Sequence, residues 1–402
     1  MRSFPKVTLR SLGALFAFAP HVQAGDFVWT HVGNGGAPGI ASLNGSVTAL
    51  HADGADLYVG GIFTDAGGVT SADYVAKWNG TAWSGFAPLN GLVKAIAVAD
   101  GRPIVGGNFT DASGNAAADF LAAWNGSTWE PFCTSTGQQP AFNGNVNALQ
   151  VIGNILYVGG SFTDGAGILT ADYLVACDLT TGDARSTIAI DGNMTGTVYA
   201  LTADGSGTLY AGGAFVNLDG NPAIDYVGSY DGAWHAMGSG PGAGGSAIND
   251  LVRALASDGT GVYVGTDALG IAGIAAADHV ARWNGAAWSA LGTNYFSTAT
   301  SINSLVFAGS LVFAGGTFQN ADADPYADAI VYWDGSAWHP LGSDGAGNGP
   351  LSGSVYALAT FAGRVFAGGN FTSAGIDTLA RFIAQSPIAP IYVFADAFES
   401  PQ

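Results

Sequence analysis

Short apolar strands that end in paired glycines punctuate this chain along its whole length. The first is Leu57-Tyr58-Val59-Gly60-Gly61, followed after Ile62 by the aromatic Phe63. Its leading glycine returns at Gly106, Gly159, Gly212, Gly265, Gly315 and Gly368, at spacings of 46, 53, 53, 53, 50 and 53 residues. Such a period marks a repeat architecture, in which no unit buries its own apolar face and neighbours must stack. Each unit reads as four short strands. In the first, Ser46 to Leu50 predicts strand A, Leu57 to Gly61 strand B and Tyr74 to Trp78 strand C, while Ala82-Trp83 opens strand D. Asn79-Gly80, between C and D, suits a two-residue hairpin turn with positive φ. That turn recurs as Asn125-Gly126, Asp231-Gly232, Asn284-Gly285 and Asp334-Gly335, flanked by Trp124 and Trp129, Tyr230 and Trp234, Trp283 and Trp288, and Trp333 and Trp338.

Three units depart from the pattern. The third replaces the tight turn with Asp178-Leu179-Thr180-Thr181-Gly182, and the fifth has Thr266 in place of its second glycine. The seventh runs through Leu379-Ala380-Arg381-Phe382 and stops without a turn or a second tryptophan. An orphan strand at the other terminus, Asp26 to Trp29, supplies what is missing. The fold expected is therefore all-β: a seven-bladed β-propeller of four-stranded blades over residues 25–382, closed by the N-terminal strand completing the last blade. Closure removes the open sheet edge that invites association, and a monomer is expected.

The strand, Gly-Gly, aromatic and later tryptophan resemble the kelch repeat. They are also similar to kelch-type propellers of exported bacterial proteins and to the central domain of galactose oxidase. The resemblance covers residues 26–382. It implies a propeller, but not one function, because such propellers serve as binding platforms, structural modules and occasional enzyme scaffolds. The copper-binding His and Tyr and the Tyr–Cys crosslink of galactose oxidase have no counterpart here.

Residues 1–24 read as an export signal. Arg2, Lys6 and Arg10 precede an apolar run from Leu12 to Ala19, and Val22-Gln23-Ala24 forms a small-residue cleavage site. No stretch is long and apolar enough to span a bilayer as a helix. Without the signal, 8 basic residues face 30 acidic ones, a formal charge of −22. That balance argues against nucleic acid as a partner. An exported chain permits a disulfide between Cys133 and Cys177, with two buried thiols as the alternative. Residues 383–402 are expected to be a linker and an acidic-apolar tail. Its Phe394-Ala395-Asp396-Ala397-Phe398-Glu399 resembles the Phe-Asp-Gly-Phe-Glu tails of some exported proteobacterial proteins.

Two ring-like sets of residues carry the candidate chemistry. Asp73, Asp119, Asp172, Asp225, Asp278 and Asp328 each stand 13 residues after a leading glycine, and Asp377 stands nine after the last. They either pin the loop before strand C through backbone N–H groups or gather Ca²⁺, the one metal the sequence invites. No other cofactor is expected. The second set is the variable x of the strand-A motif V-x-A-L: Thr48, Lys94, Asn147, Tyr199, Arg253, Asn303 and Tyr356. Strand A is innermost in a propeller, so these side chains are candidates to line the channel and meet a ligand. The tryptophans suit cross-hairpin packing better than sugar stacking. The five histidines beyond the signal (His31, His51, His235, His279, His339) show no metal spacing, and no nucleophile elbow or phosphate loop occurs. The reading is an exported, non-catalytic module that binds a glycan or protein. The alternatives are a carbohydrate-active enzyme using rim carboxylates and a structural cell-envelope protein.

Overall fold

The computed structural model describes residues 27–134, 141–168, 171–181, 190, 193–292, 296 and 301–388. The expected signal peptide and the tail from Ile391 lie outside these residues. Seven antiparallel sheets form a ring, with strand A of each blade beside strand A of the next. Blade 1 comprises Val47–Asp53, Asp56–Gly61, Val75–Trp78 and Trp83–Gly85, paired in that order. Strands A of blades 2 to 7 are Val93–Ala99, Val146–Ile152, Val198–Ala203, Val252–Ser257, Ile302–Ala308 and Val355–Phe361. Blade 3 shows three strands among the described residues; 182–189, where a fourth would run, lie outside them.

The valine and glycine of the repeat turn out to be one device. A Cβ on Gly60 would press into Val93 of the next blade, and Gly265 stands likewise against Ile302, both at 2.6 Å. The same socket occurs at Gly106, Gly159, Gly212, Gly315 and Gly368, the last receiving Val47 of blade 1. The leading glycine is thus required by a neighbour's side chain rather than by its own backbone. Strand B is buried on both faces by flanking blades, which is why it reads as a continuous apolar run.

Ring closure departs from expectation in two details. The closing strand is Thr30–His31, just after Trp29, and it pairs with Ile383–Pro387. The last blade therefore continues past residue 382, and Ile383 to Pro387 form its strand C rather than a linker. Nor is its loop shortened. Gly369 N–H donates to Phe382 and Phe382 N–H to Phe371, as Gly61 does to Tyr74 and Tyr74 to Phe63. Arg381 thus occupies the aspartate's station, and Asp377 lies earlier in the loop. There its Oδ2 receives the His31 backbone N–H at 3.0 Å and stands 2.6 Å from His31 Nδ1, fastening the closing strand.

The tryptophans do more than pair across hairpins. Trp78 and Trp83 do pack with centroids 5.2 Å apart, and the other blades match. Each strand-D indole N–H also donates to a backbone carbonyl of the preceding blade. The bonds are Trp83 to Val32, Trp129 to Ala87, Trp234 to Ile190, Trp288 to Met237 and Trp338 to Leu291. Trp29 donates to Leu341 at 2.8 Å, so it is the last blade's strand-D tryptophan. Cys133 and Cys177 are joined in a disulfide with Cα atoms 5.3 Å apart, linking the end of blade 2 to strand C of blade 3.

Candidate functional site

In every blade the register of strand A against strand B slips at one residue. Val47 pairs with Gly61 and Ala49 with Gly60, leaving Thr48 as an extra residue between them. The same slip isolates Lys94, Asn147, Tyr199, Arg253, Asn303 and Tyr356. A β-bulge bends its strand and re-aims the unpaired side chain. Here seven bulges do this around one axis, and Thr48, Lys94, Tyr199, Arg253, Asn303 and Tyr356 line a single cavity of about 190 Å³, with Asn147 beside it in hydrogen-bond contact with Lys94.

The seven side chains divide by what already holds them. Thr48 Oγ1 donates to the Val93 carbonyl at 2.6 Å. Asn147 and Asn303 donate in the same way to Val198 and Val355, at 3.1 and 3.0 Å. These three fasten one innermost strand to the next. Arg253 forms a bidentate pair with Asp267, Nε to Oδ1 at 2.9 Å and Nη2 to Oδ2 at 2.7 Å. Its charge is neutralised locally. Lys94 has only the amide oxygen of Asn147, 3.1 Å from Nζ, and no carboxylate among the described residues lies within ion-pair distance. Burial with no compensating anion pushes the Lys94 ammonium below its ordinary pKa. Tyr199 and Tyr356 complete the ring, Tyr199 being 37% exposed to the channel.

The aspartates are not brought together. Asp119, Asp172, Asp225, Asp278 and Asp328 each accept, at 2.7 to 2.9 Å, the backbone N–H of the residue eight earlier in their own loop. Those donors, Asp111, Asp164, Asn217, Gly270 and Asn320, all have left-handed backbone, with φ of 50° to 61°. The carboxylate thus anchors a strained turn, and the next residue, such as Phe120 or Tyr173, also has positive φ. Asp73 stands at the same station in blade 1. No group of three His, Cys, Asp or Glu suited to a metal occurs among the described residues.

Two further concavities lie off the axis. One of about 390 Å³ opens between blades 6 and 7, lined by Asp328, Asp344, Asn348 and the Leu351 to Ser354 stretch of the D–A loop. Its carboxylates are occupied: Asp328 Oδ2 accepts Gly349 N–H, and Asp344 closes its own loop on Ala346 and Asn348. The other, about 550 Å³, lies between blades 1 and 2, against Tyr58, Phe86 and Trp124. Its cations are paired, Lys77 with Asp56 and Arg102 with Glu130. Sequence reasoning missed this groove, because it is made by strands B and C of two different repeats.

No family model matches the chain, and no curated protein matches it in sequence. Among solved structures, it is similar to the extracellular domain of a hybrid two-component system from B. thetaiotaomicron. The identity is 11% and the TM-score 0.53, over 86% of this chain and 39% of that one. It is also similar to YCF48 bound to D1 peptide, at 10% identity and TM-score 0.50, over 95% of this chain and all of the other. YCF48 from Cyanidioschyzon merolae matches at 12% identity and TM-score 0.50, over 89% and 98%. The likeness is one of fold. A β-propeller is commonly a binding or interaction module, and no helix among the described residues is long and apolar enough to cross a membrane.

Proposed function

We propose that this chain is an exported, kelch-like, non-catalytic binding module that takes part of a glycan or protein partner into the mouth of its central channel. The observation that carries this reading is the ring of bulges. The surrounding scaffold repeats closely from blade to blade, whereas the side chains aimed at the axis differ in size, charge and hydrogen-bonding character. Packing alone would favour one repeated residue there; a ligand surface needs a varied set. Export rests on the N-terminal signal pattern, and a disulfide suits an oxidising compartment. A propeller of the same fold, YCF48, has been solved with a peptide bound.

The experiment is a screen of the 25–402 chain against glycan and peptide arrays, repeated with Thr48→Tyr. Blades 4 and 7 already hold tyrosine at this station, so the variant should fold, with a midpoint lowered only by loss of the Thr48–Val93 bond, while narrowing the channel. Hits that disappear in Thr48→Tyr support the reading. Hits that bind both proteins equally would move the site off the axis.

A further inference from the structure

Among the described residues, Lys94 is the one channel cation without a counter-charge. Around it stand Thr48 and Asn147, both bonded to backbone carbonyls, and Asn147 Oδ1 satisfies only one of the ammonium's three protons. Across the axis Arg253 is spent on Asp267, and Tyr199 and Tyr356 border the same space. An isolated, half-buried ammonium in an interior of low dielectric is costly unless an anion meets it. The chain has 30 carboxylates to offer, yet none of the described ones pairs with this lysine. Stability alone would be served by asparagine, which blades 3 and 6 carry at this station and use to bond the next strand. The neighbouring tyrosines and amides suit hydroxyl groups, and about 190 Å³ suits a single ring rather than a folded chain segment.

We propose that the channel is an acidic-sugar site, in which Lys94 receives the carboxylate of one sugar acid while Tyr199 and Tyr356 meet its ring and hydroxyls. This rests on the channel-mouth reading and sharpens it to a ligand class. The lowered proton affinity of Lys94 agrees with a cation awaiting its partner, and carboxylate binding would restore it.

The test is isothermal titration of the 25–402 chain at pH 7 with glucuronate and with glucose, its neutral counterpart. Lys94→Asn and Lys94→Arg are compared with the parent. Glucuronate is expected to bind at least tenfold more tightly than glucose. Lys94→Asn should abolish that preference while unfolding at the parent's temperature or above, and Lys94→Arg should retain it. Absent glucuronate binding, equal affinity for the two sugars, or an unchanged preference in Lys94→Asn would each overturn the proposal. So would Lys94-dependent binding of an acidic tetrapeptide with none of glucuronate. Equal binding of both sugars that Thr48→Tyr abolishes would sink the acidic-sugar inference and leave the channel reading standing. Loss of the preference in Lys94→Asn with no effect of Thr48→Tyr would uphold the acidic-sugar inference and show that the sugar does not reach blade 1's side of the channel.

Discussion

Six blade interfaces and the seventh solve the same problem with different chemistry. At six, an indole N–H of one blade reaches back to a carbonyl of the blade before it, in the short stretch that follows strand D where that strand is described. Between blades 2 and 3 a disulfide stands instead. The exchange is local and complete. Cys177 lies 18 residues after Gly159, as Trp78 lies 18 after Gly60, so it occupies the strand-C tryptophan's place; Leu156 faces Cys177 as Leu57 faces Trp78. Residues 178–190 contain no tryptophan to serve strand D. Cys133 follows Trp129 by four residues, at the station where Ala87 follows Trp83 and accepts an indole bond. One blade has lost both tryptophans, and a covalent link fills the gap. A ring resists opening only as well as its weakest joint, which gives every joint a latch.

Breaking the exceptional joint should have the largest effect. Cys133→Ser with Cys177→Ser, or reduction, removes a crosslink spanning 44 residues. The chain-entropy account puts the loss at about 4 kcal/mol. Urea unfolding of oxidised and reduced protein measures it directly, and coincident midpoints would show that blade 3 is held by its packing alone. An ordinary joint should cost less. Trp83→Phe keeps a ring in the core but strands the buried Val32 carbonyl, a loss of about 2 kcal/mol. If the two perturbations proved equal, the disulfide would be worth no more than the bond it replaces.

Much of this was legible beforehand, and the reason is periodicity. Seven glycines at near-equal spacing specify the blade count, and Trp29, orphaned at the N-terminus, specifies how the ring closes. The channel ring was legible as a variable position inside a constant motif, because scaffold residues repeat and the others need not. Besides the groove between blades 1 and 2 and the strand at Ile383–Pro387, three things escaped. The bulge that aims each ring residue is a matter of register, which V-x-A-L does not encode. The role of Asp377 was hidden because spacing alone made the last loop look short, when Arg381 had taken the aspartate's station. The cysteine-for-tryptophan exchange was visible at 18 residues from Gly159, but only after the tryptophans are understood as joints between blades rather than as pairs within one.

The smallest effect expected lies at the closing joint and reports on acid. Burial opposes ionisation of Asp377, but hydrogen bonds from the His31 side chain and backbone and from Leu379 N–H outweigh it and lower its pKa from 3.8. A carboxyl depressed in the folded state stabilises the fold above its unfolded pKa and loses that contribution as pH falls through the folded one. Asp258 and Asp334 behave likewise. Burial again opposes, while bonds from Thr260 and the Arg282 guanidinium hold the first at about 2, and bonds from Ala337, Ser336 and His339 hold the second at about 2. Those two brace turns within single blades, whereas Asp377 bonds the N-terminal closing strand to the last blade. The disulfide itself does not titrate. As pH falls below about 4 and Asp377 is protonated, therefore, hydrogen exchange should quicken first at Thr30–His31 and Ile383–Pro387, while strand C of blade 3 stays protected. Asp377→Asn, costing about 1 kcal/mol, should show that pattern already at pH 7. If blade 3 opened first in acid, the covalent joint would be the weaker one, and the closing strand would be held by the Trp29–Leu341 bond rather than by Asp377.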